Sequence, residues 1–331
     1  MDNIKISKKI IFLSVQPDNQ YFNWQVEVFI NNAIMNGINP NWIEIIFVYK
    51  DSPSENSLNF ASRYPLIRFF FYKEKTDDNF GYIPILRPDA LIQHFQRFPN
   101  LSKETIFYHD SDIIFKELPD FNLLTDDDVW YLSDTVSYIG ADYIKSKSDS
   151  LLTEMCEIAG ISRDIVEKNN INSGGAQYLM KNIDSSYWSE VKKVTLDLYK
   201  FMFKREMDER NSLGENLPPD YNPIQKWCAD MWGVLWCGLK RGYEIKISGE
   251  LGFSWGCSEG MDEWNRYKIM HNAGVENSRG GKVFYKGDYI NNSPWNEDFE
   301  NIDKNHNSYN YVKAILYAKK MRESSGIHQM I

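Results

Sequence analysis

The chain has 331 residues, of which 43% are hydrophobic and 25% charged, which is ordinary for a globular protein with one large α/β domain or two smaller ones. Its net charge of −9 argues against a broad electrostatic grip on nucleic acid, although it leaves room for a local basic groove. The four cysteines show no C-x-x-C spacing, which argues against a zinc site or redox pair and predicts buried thiols in a reducing compartment.

The N-terminal region predicts a cytoplasmic protein with no membrane partner. Residues Met1–Lys9 are polar, and the apolar run Ile10–Val15 is too short for a signal core or a membrane span. If the source is viral, the expected location is the host cytoplasm.

The first third of the chain alternates apolar runs with helical spacing. Strands are predicted at Ile10–Val15, Ile43–Tyr49, Ile67–Tyr72 and Thr105–Phe115. Helices are predicted at Phe22–Asn36, at Ser54–Arg63 with Ser54 as its cap, and from Pro88 to about Phe98. This alternation predicts an α/β fold with a mostly parallel sheet, in which ligands bind at the carboxyl ends of the strands.

The remainder of the chain is less regular. The predicted elements are a strand at Val129–Ser133, a helix at Ser150–Ala159, a tight turn at Asn172–Gly175 before the apolar segment Ala176–Met180, a helix at Asp184–Arg210, a loop at Asn211–Asn222, a helix at Ile224–Arg241, a strand at Tyr243–Ile247, a loop-rich segment at Lys282–Asn310 and a helix at Tyr311–Glu323. No clean linker is visible. We therefore expect a single domain over 1–331, with a nucleotide-sugar-binding half at 1–135 and an acceptor half with a closing segment at 136–331.

Two carboxylates, Asp110 and Asp112, stand one residue apart in the fourth predicted strand. Alternate residues of a strand point the same way, so their carboxylates would lie together and repel each other. A divalent cation that bridges carboxylates to diphosphate oxygens would resolve this conflict. The alternative is two solvated acids at a strand end. The arrangement resembles the D-x-D motif of nucleotide-sugar-dependent glycosyltransferases.

Several short segments resemble one group of these enzymes, the plant hydroxyproline O-arabinosyltransferases and peptidyl-serine galactosyltransferases. In chain order the similar segments are Tyr21–Gln25, Leu86–Phe95, His109–Asp112 and Trp227–Trp232, the last with Asp230 in place of Glu. The matches keep the same order from Ile10 to Tyr243. The chain departs from the group in lacking secretory features.

The resemblance implies a GT-A fold, a Rossmann-like sheet with a metal held by the D-x-D. Asp112 would then ligate the metal directly, and Asp110 would reach the metal or the ribose and sugar hydroxyls. The segment Ile269–Gly274 is similar to an H-x-x-G pattern that supplies a further ligand, here His271. Neutral imidazole beside carboxylates suits Mn²⁺, with Mg²⁺ as the other candidate. The alternative is a structural histidine satisfied by the backbone.

Further candidate residues follow from the same resemblance and from their surroundings. Lys286, in a segment that resembles the closing segment of retaining GT-A enzymes, would neutralise the leaving diphosphate, or it is a solvated loop lysine. Asp230 lies on an apolar helical segment and would orient the donor sugar, act as general base or face the anomeric carbon, or it lies on a polar helix face. Arg87 would bind phosphate or sugar hydroxyls, or it is an ion-pair partner.

The segment that includes Asn172, Ser173 and Gly174 offers small polar groups and close backbone approach to a donor or acceptor sugar. Turn chemistry explains the glycine equally well.

These observations predict a metal-dependent glycosyltransferase that moves a sugar from a nucleoside-diphosphate donor, with UDP the first candidate, to a hydroxyl, with retention. The acceptor is a protein side chain, a glycan or a hydroxymethylated pyrimidine of viral DNA. One alternative is a metal-dependent hydrolase or phosphotransferase, but the sequence has no P-loop, G-x-S-x-G or H-E-x-x-H pattern. The other alternative is a non-catalytic sugar-binding relative.

Overall fold

The computed structural model describes residues 6–76 and 81–328, with side chains described as far as residue 324. Among these residues the strands are β1 (Ile10–Pro17), β2 (Ile43–Tyr49), β3 (Arg68–Lys73), β4 (Thr105–Tyr108), β5 (Ile113–Phe115), β6 (Trp130–Asp134), β7 (Gly174–Met180), β8 (Ile245–Ile247), β9 (Phe253–Trp255) and β10 (Ile269–His271). The helices are α1 (Gln20–Met35), α2 (Glu55–Ser62), α3 (Leu86–Arg97), α4 (Val136–Ile139), α5 (Ala141–Lys147), α6 (Asp149–Ala159), α7 (Arg163–Lys168), α8 (Ser185–Leu213), α9 (Ala229–Lys240), α10 (Asp262–Arg266) and α11 (Tyr309–His328).

The chain divides into two compact units, and each is assembled from separate segments. The first unit contains residues 1–73, 105–127 and 249–331, and the second contains residues 74–104 and 128–248. A unit built from distant segments depends on long-range pairing, which local sequence patterns do not encode.

The first unit has a parallel sheet in the order β3-β2-β1-β4. Strand β1 is buried along nearly its whole length, as its unbroken apolar sequence requires for a strand with neighbours on both sides. The carboxyl end of β4 lies beside the middle of β1, because Tyr108 pairs with Leu13. A second, small sheet has the order β5-β10-β9, with β10 antiparallel to β5 and parallel to β9.

Helices α1, α2 and α11 complete the first unit. The side chains of Asn19 and Ser54 cap α1 and α2 by accepting hydrogen bonds from the backbone N–H groups of Phe22 and Ser57. Helix α11 packs on α1, and Trp24 of α1 and Tyr311 of α11 belong to one apolar cluster. Burial of such large aromatic side chains supplies much of the packing energy that holds the C-terminal helix in place.

The second unit has strand β6 between β7, to which it is antiparallel, and β8, to which it is parallel. The long helix α8 packs on α3 and α9. Gly233 allows the close approach of α9 to α8, because a Cβ atom there would overlap the Oγ1 atom of Thr195. Buried indoles of Trp188 and Trp232 fill the helical layer.

The predicted α/β class is confirmed: parallel strand pairs predominate, and helices flank them. The bounds of β2 agree with the prediction at both ends, and Ser54 is the cap of α2. Among the described residues no helix combines the length and the apolar character needed to cross a bilayer. The single-domain assignment with halves at 1–135 and 136–331 stays a prediction.

Four sequence-based predictions of local structure are wrong. The predicted strand Thr105–Phe115 is two strands, β4 and β5, separated by a turn that contains both acids. Gly174 and Gly175 begin β7 rather than form a tight turn. The predicted helix Ile224–Arg241 begins only at Ala229, after a short 3₁₀ turn, and α8 continues to Leu213.

Candidate active site

The turn after β4 holds Asp110 and Asp112 in the first unit. The N–H of His109 still donates to the carbonyl of Leu13, 3.1 Å away, so pairing with β1 continues one residue past β4 before the chain turns. His109 Nδ1 then donates to the carbonyl oxygen of Asp110 at 2.8 Å. The two carboxylates therefore meet through a turn, and the premise that strand alternation would align them is wrong.

His109 itself is a buried support for this turn, which the sequence did not single out. Its ring packs against Phe29, with centroids 4.2 Å apart, and against Phe107, at 5.4 Å. Burial lowers the pKa of His109 to about 4, so the ring is neutral at pH 7. The sequence offered one signal for this role: His109 lies between apolar strand residues and the D-x-D. A neutral imidazole in such a position packs as an aromatic ring does.

His271 reaches the two acids through the small sheet. It is the last residue of β10 and pairs with Ile113 of β5, and the N–H of the next residue, Asn272, donates to the carbonyl of Asp112 at 2.9 Å. As a result, His271 Nε2 lies 3.4 Å from Asp110 Oδ2 and 3.3 Å from Asp112 Oδ1. The structure thus brings together the three residues for which the sequence predicted metal ligation.

Lys286 lies against Asp112. Its Nζ donates to Asp112 Oδ2 at 2.5 Å, and the Asp112 side chain is only 6% exposed. Burial alone would raise the pKa of Asp112, but the Lys286 ammonium and the His271 ring outweigh it and hold that pKa well below its usual range. Burial would likewise lower the pKa of Lys286, but the charge of Asp112 raises it above its ordinary value. The pair is therefore ionised at neutral pH.

Aromatic packing fixes the segment that carries Lys286. Phe284 packs against Trp24 and Tyr311, with centroid distances of 6.3 and 5.8 Å, and Trp24 Nε1 donates to the carbonyl of Tyr289 at 3.4 Å. The ammonium thus projects from a short segment that is held at both sides. A preorganised charge of this kind loses little entropy when it meets a ligand.

Two tyrosines surround the ion pair, and the sequence predicted neither as a site residue. The pKa of Tyr21 is raised by burial first, with opposing effects from Lys286 and Asp112. Tyr311 is fully buried, and burial followed by the charge of Asp112 raises its pKa well above the ordinary value. Both hydroxyls stay protonated at neutral pH, so they add polarity but no charge beside Asp112.

Asp110, Asp112 and His271 form a group that fits a divalent cation, and we call it the metal group. One ligand atom from each residue can be chosen so that all lie within 4.8 Å of one another. Two carboxylates and one imidazole are a ligand set that suits Mn²⁺ or Mg²⁺. Two carboxylates against the one ammonium of Lys286 leave an excess negative charge among these groups, which a cation would offset. Asp110, at 20% side-chain exposure, gives the group access to solvent.

The second unit brings Arg87 and Asp230 together. Arg87 Nη1 lies 3.3 Å from Asp230 Oδ2, and the N–H of Asp230 donates to the hydroxyl of Tyr82 at 2.9 Å. Asp230 stands in the first turn of α9, where a carboxylate is favoured by the helix dipole. Arg87 therefore forms an ion pair, which was one of the two predicted roles for it. It also provides the partner that the Asp230 carboxylate needs on this apolar helix.

Asn172, Ser173 and Gly174 also lie in the second unit, where β7 begins. Ser173 is buried, and its carbonyl accepts a hydrogen bond from the hydroxyl of Thr135 at 3.0 Å. A Cβ atom at Gly174 would lie 2.5 Å from Leu132 Cβ and 2.7 Å from the carbonyl oxygen of Ser133. Close packing of β7 on β6 thus accounts for this glycine without reference to a ligand.

No protein-family model and no curated protein matches the chain. Among solved structures the chain is similar to the bifunctional glycosyltransferase WbbM, with 13% identity over 93% of this chain and a TM-score of 0.48. The chain spans about half of that WbbM chain, 52% of it.

Two further similar structures are also glycosyltransferases. The galactosyltransferase LgtC, solved in complex with donor and acceptor sugar analogues, matches 92% of this chain and 94% of its own at 10% identity and a TM-score of 0.42. GlyE from Streptococcus pneumoniae TIGR4 matches 96% of this chain and 64% of its own at 10% identity and a TM-score of 0.43.

Proposed function

We propose that this chain is a metal-dependent glycosyltransferase of the GT-A type, which transfers a sugar from a nucleoside-diphosphate donor to a hydroxyl group. The observation that carries the proposal is the convergence of Asp110, Asp112 and His271, with Lys286 on the far oxygen of Asp112. A carboxylate-imidazole group that holds a divalent cation beside the Lys286 ammonium would place positive charge where a diphosphate leaves.

In the proposed reaction the bond between the anomeric carbon and the diphosphate oxygen breaks, and the electron pair leaves with the diphosphate. The acceptor oxygen forms the new bond to that carbon and releases its proton to a base. When bound by Asp110, Asp112 and His271, Mn²⁺ or Mg²⁺ supplies Lewis-acid neutralisation of the diphosphate. Lys286 keeps its proton, because the charge of Asp112 raises its pKa, and supports the same negative charge.

The finer assignments are part of the same proposal. The donor is a UDP-sugar and the configuration is retained, as the resemblance to the retaining group of enzymes suggests. Asp230 orients the donor sugar or accepts the proton of the acceptor, and Arg87 holds its carboxylate in place. The segment Asn172–Gly174 contributes small polar groups to sugar binding.

A donor screen tests the proposal. The purified protein is titrated with UDP, GDP and their sugars, in the presence of Mn²⁺, Mg²⁺ or EDTA, and its melting temperature is recorded. A ligand at about 100 times its dissociation constant adds about 2.7 kcal/mol to the free energy of unfolding. We expect stabilisation by one nucleotide family that disappears with EDTA, together with slow release of free sugar from the donor.

Two outcomes would contradict the proposal. If no nucleotide stabilises the protein with either metal, Asp110 and Asp112 are two acids in a turn without a diphosphate ligand. If the protein instead releases phosphate from simple phosphate esters, the site belongs to a hydrolase or phosphotransferase.

A further inference from the structure

A polar groove of about 530 Å³ lies in the first unit, outside the metal group. We call it the amide groove. Its walls are facing surfaces of α1 and of α2 with its capping residue, and it is closed on a third side by Ser293, Trp295 and Arg322. The polar residues from the two helices are Gln20, Asn23, Glu27, Asn56, Asn59 and Arg63, and the aromatic residues Trp24 and Phe60 also line the groove. Its volume lies in the range of about 300–1,000 Å³ that is typical of small-molecule sites.

Both helices present the same order of side chains to the groove. Each places two carboxamides three residues apart and a charged group four residues further on, which is one face of an α-helix. The charged groups, Glu27 and Arg63, pair with each other at 2.7 Å. The two rows of side chains, one on each helix, therefore meet at this ion pair. The carboxamides provide the other polar side chains of these two helices in the groove, beside Trp24 and Phe60. Ordinary helix surfaces favour charged side chains at such positions.

The end of the groove carries excess positive charge. Glu27 is 2% exposed and accepts hydrogen bonds from both guanidinium nitrogens of Arg63, from Arg322 at 2.9 Å and from the hydroxyl of Tyr64. One carboxylate therefore faces two guanidinium groups. Among the residues that the structure describes, Arg322 uses one N–H donor, which leaves further donors of the fork for another molecule.

The carboxamides on the walls are open to a ligand. Within residues 6–76 and 81–324, the side-chain amides of Gln20, Asn56 and Asn59 make no hydrogen bond, and all three residues are exposed. An amide offers two donors and an acceptor, and a sugar hydroxyl is likewise both donor and acceptor. An apolar ligand would leave these groups unsatisfied, and a simple anion would not use the acceptors. The chemistry of the walls therefore favours a polyhydroxyl ligand.

The groove and the metal group are linked through the segment that carries Lys286. Trp24 lines the groove and also donates to the carbonyl of Tyr289, three residues after Lys286. Lys286 in turn contacts Asp112. An extended ligand that reaches both sites would follow this junction along α1.

We propose that the amide groove binds an oligosaccharide, the acceptor chain of the transfer reaction, at sugar units remote from the reacting hydroxyl. The acceptor part of this proposal rests on the proposed glycosyltransferase function, whereas binding of the oligosaccharide does not depend on the metal. A protein side chain or a modified DNA base as the acceptor would leave the groove without a role.

Binding to the full chain is tested first, on an array of neutral and acidic oligosaccharides with peptides and single-stranded DNA as competing classes. The best oligosaccharide is then titrated by calorimetry, in EDTA, against the wild type and the double variant Asn56→Ala/Asn59→Ala. Loss of the hydrogen bonds from two amides should weaken binding about tenfold or more. Asn211→Ala, an exposed helical asparagine of α8, is the matched control and should bind as the wild type does.

The kinetic test uses acceptors of increasing length. We expect KM to fall as the acceptor is extended from one to four sugars in the wild type, and this dependence to be lost in Asn56→Ala/Asn59→Ala. The proposal is overturned if the double variant binds the oligosaccharide as tightly as the wild type does. It is also overturned if the protein binds only peptides or only DNA. Release of sugar from the donor without any oligosaccharide binding would also overturn it while leaving the transferase assignment intact. Oligosaccharide binding without nucleotide stabilisation would instead overturn the transferase assignment and the acceptor role.

Discussion

Asp112 is the residue on which the candidate site depends most. It lies between an imidazole at 3.3 Å and an ammonium at 2.5 Å, and its carboxylate is almost fully buried. A carboxylate can serve both groups and a cation because its two oxygens accept from different directions. Asp110 is more exposed, so it lies on the side of the group that is open to solvent.

Asp112→Asn should abolish the Mn²⁺-dependent rise in melting temperature that nucleotides produce. The amide removes the charge that attracts the cation and leaves the partly buried Lys286 without its counter-ion, which should lower the free energy of unfolding by about 2 kcal/mol. Thermal denaturation with and without Mn²⁺ and UDP measures both effects. Asp126→Asn, at an exposed aspartate that pairs with Lys8, is the control and should change neither. A normal nucleotide response in Asp112→Asn would show that the site is assigned to the wrong residue.

Lys286→Met should separate metal binding from catalysis. Methionine keeps the length of the side chain but removes a positive charge beside the carboxylates, so Mn²⁺ alone should bind more tightly. Release of sugar from the donor should fall by about 100-fold, because the departing diphosphate loses its fixed ammonium. Calorimetric titration with Mn²⁺ and a donor-hydrolysis assay give the two numbers. Weaker Mn²⁺ binding together with normal hydrolysis would mean that Lys286 only orders the loop.

At the scale of elements, hydrophobic runs predicted strands well and chain reversals poorly. Strand β2 agrees with its prediction because six of its seven residues are apolar or β-prone, and the six residues from Ile43 to Val48 pair with β1. The run Thr105–Phe115 is apolar on both sides of the acids, yet it breaks at them because β5 pairs with β10, and no local pattern reveals that pairing. The start of α9 was placed too early for a similar reason, since Tyr82 fixes the preceding turn by donating to the carbonyl of Trp227 at 2.8 Å.

Gly174→Ala should destabilise the pairing of β7 with β6. The added methyl group would meet Leu132 Cβ at 2.5 Å, and overpacking of this kind costs about 1–3 kcal/mol. Gly249→Ala is the matched control, because a Cβ atom there has nothing within 4 Å. Urea denaturation of both variants measures the difference. If the two variants unfold at the same urea concentration, β7 has more freedom than its contacts with β6 indicate.

At the scale of the whole molecule, the sequence predicted the class of fold and singled out the three residues that the structure brings together, but not how they meet. The metal group was inferred from a resemblance, because the spacing between Asp112 and His271 carries no geometric information by itself. The amide groove was not predicted, since its two rows of side chains are individually ordinary polar helix faces. Only tertiary packing places them opposite each other and adds Arg322.

Stability should fall in acid through partly buried glutamates in both units. For Glu190, Glu206 and Glu250, burial alone would raise the pKa, but ion pairs with neighbouring lysines or arginines outweigh it and lower the pKa below 4.5. A folded pKa below the unfolded value stabilises the protein above the unfolded pKa, and that contribution disappears as the pH falls through the folded pKa. The melting temperature should therefore decline below about pH 4.5.

The triple variant Glu190→Gln/Glu206→Gln/Glu250→Gln tests this origin in metal-free buffer. It should melt at a lower temperature than the wild type at pH 7, with the difference shrinking towards pH 3 because the wild-type carboxylates become protonated. A difference that is constant across this range would assign the effect to lost packing rather than to charge.

The contact between Lys286 and Asp112 joins residues 174 positions apart in the sequence. A ribosome therefore exposes the acidic turn long before it releases the lysine and histidine that complete the cluster. During that interval the buried aspartate lacks both the ammonium and the imidazole that contact it, so the first unit cannot reach its final energy while the chain is still growing. Completion of the cluster is therefore a late event of biosynthesis, because it requires the segment that carries Lys286 to dock against the acidic turn.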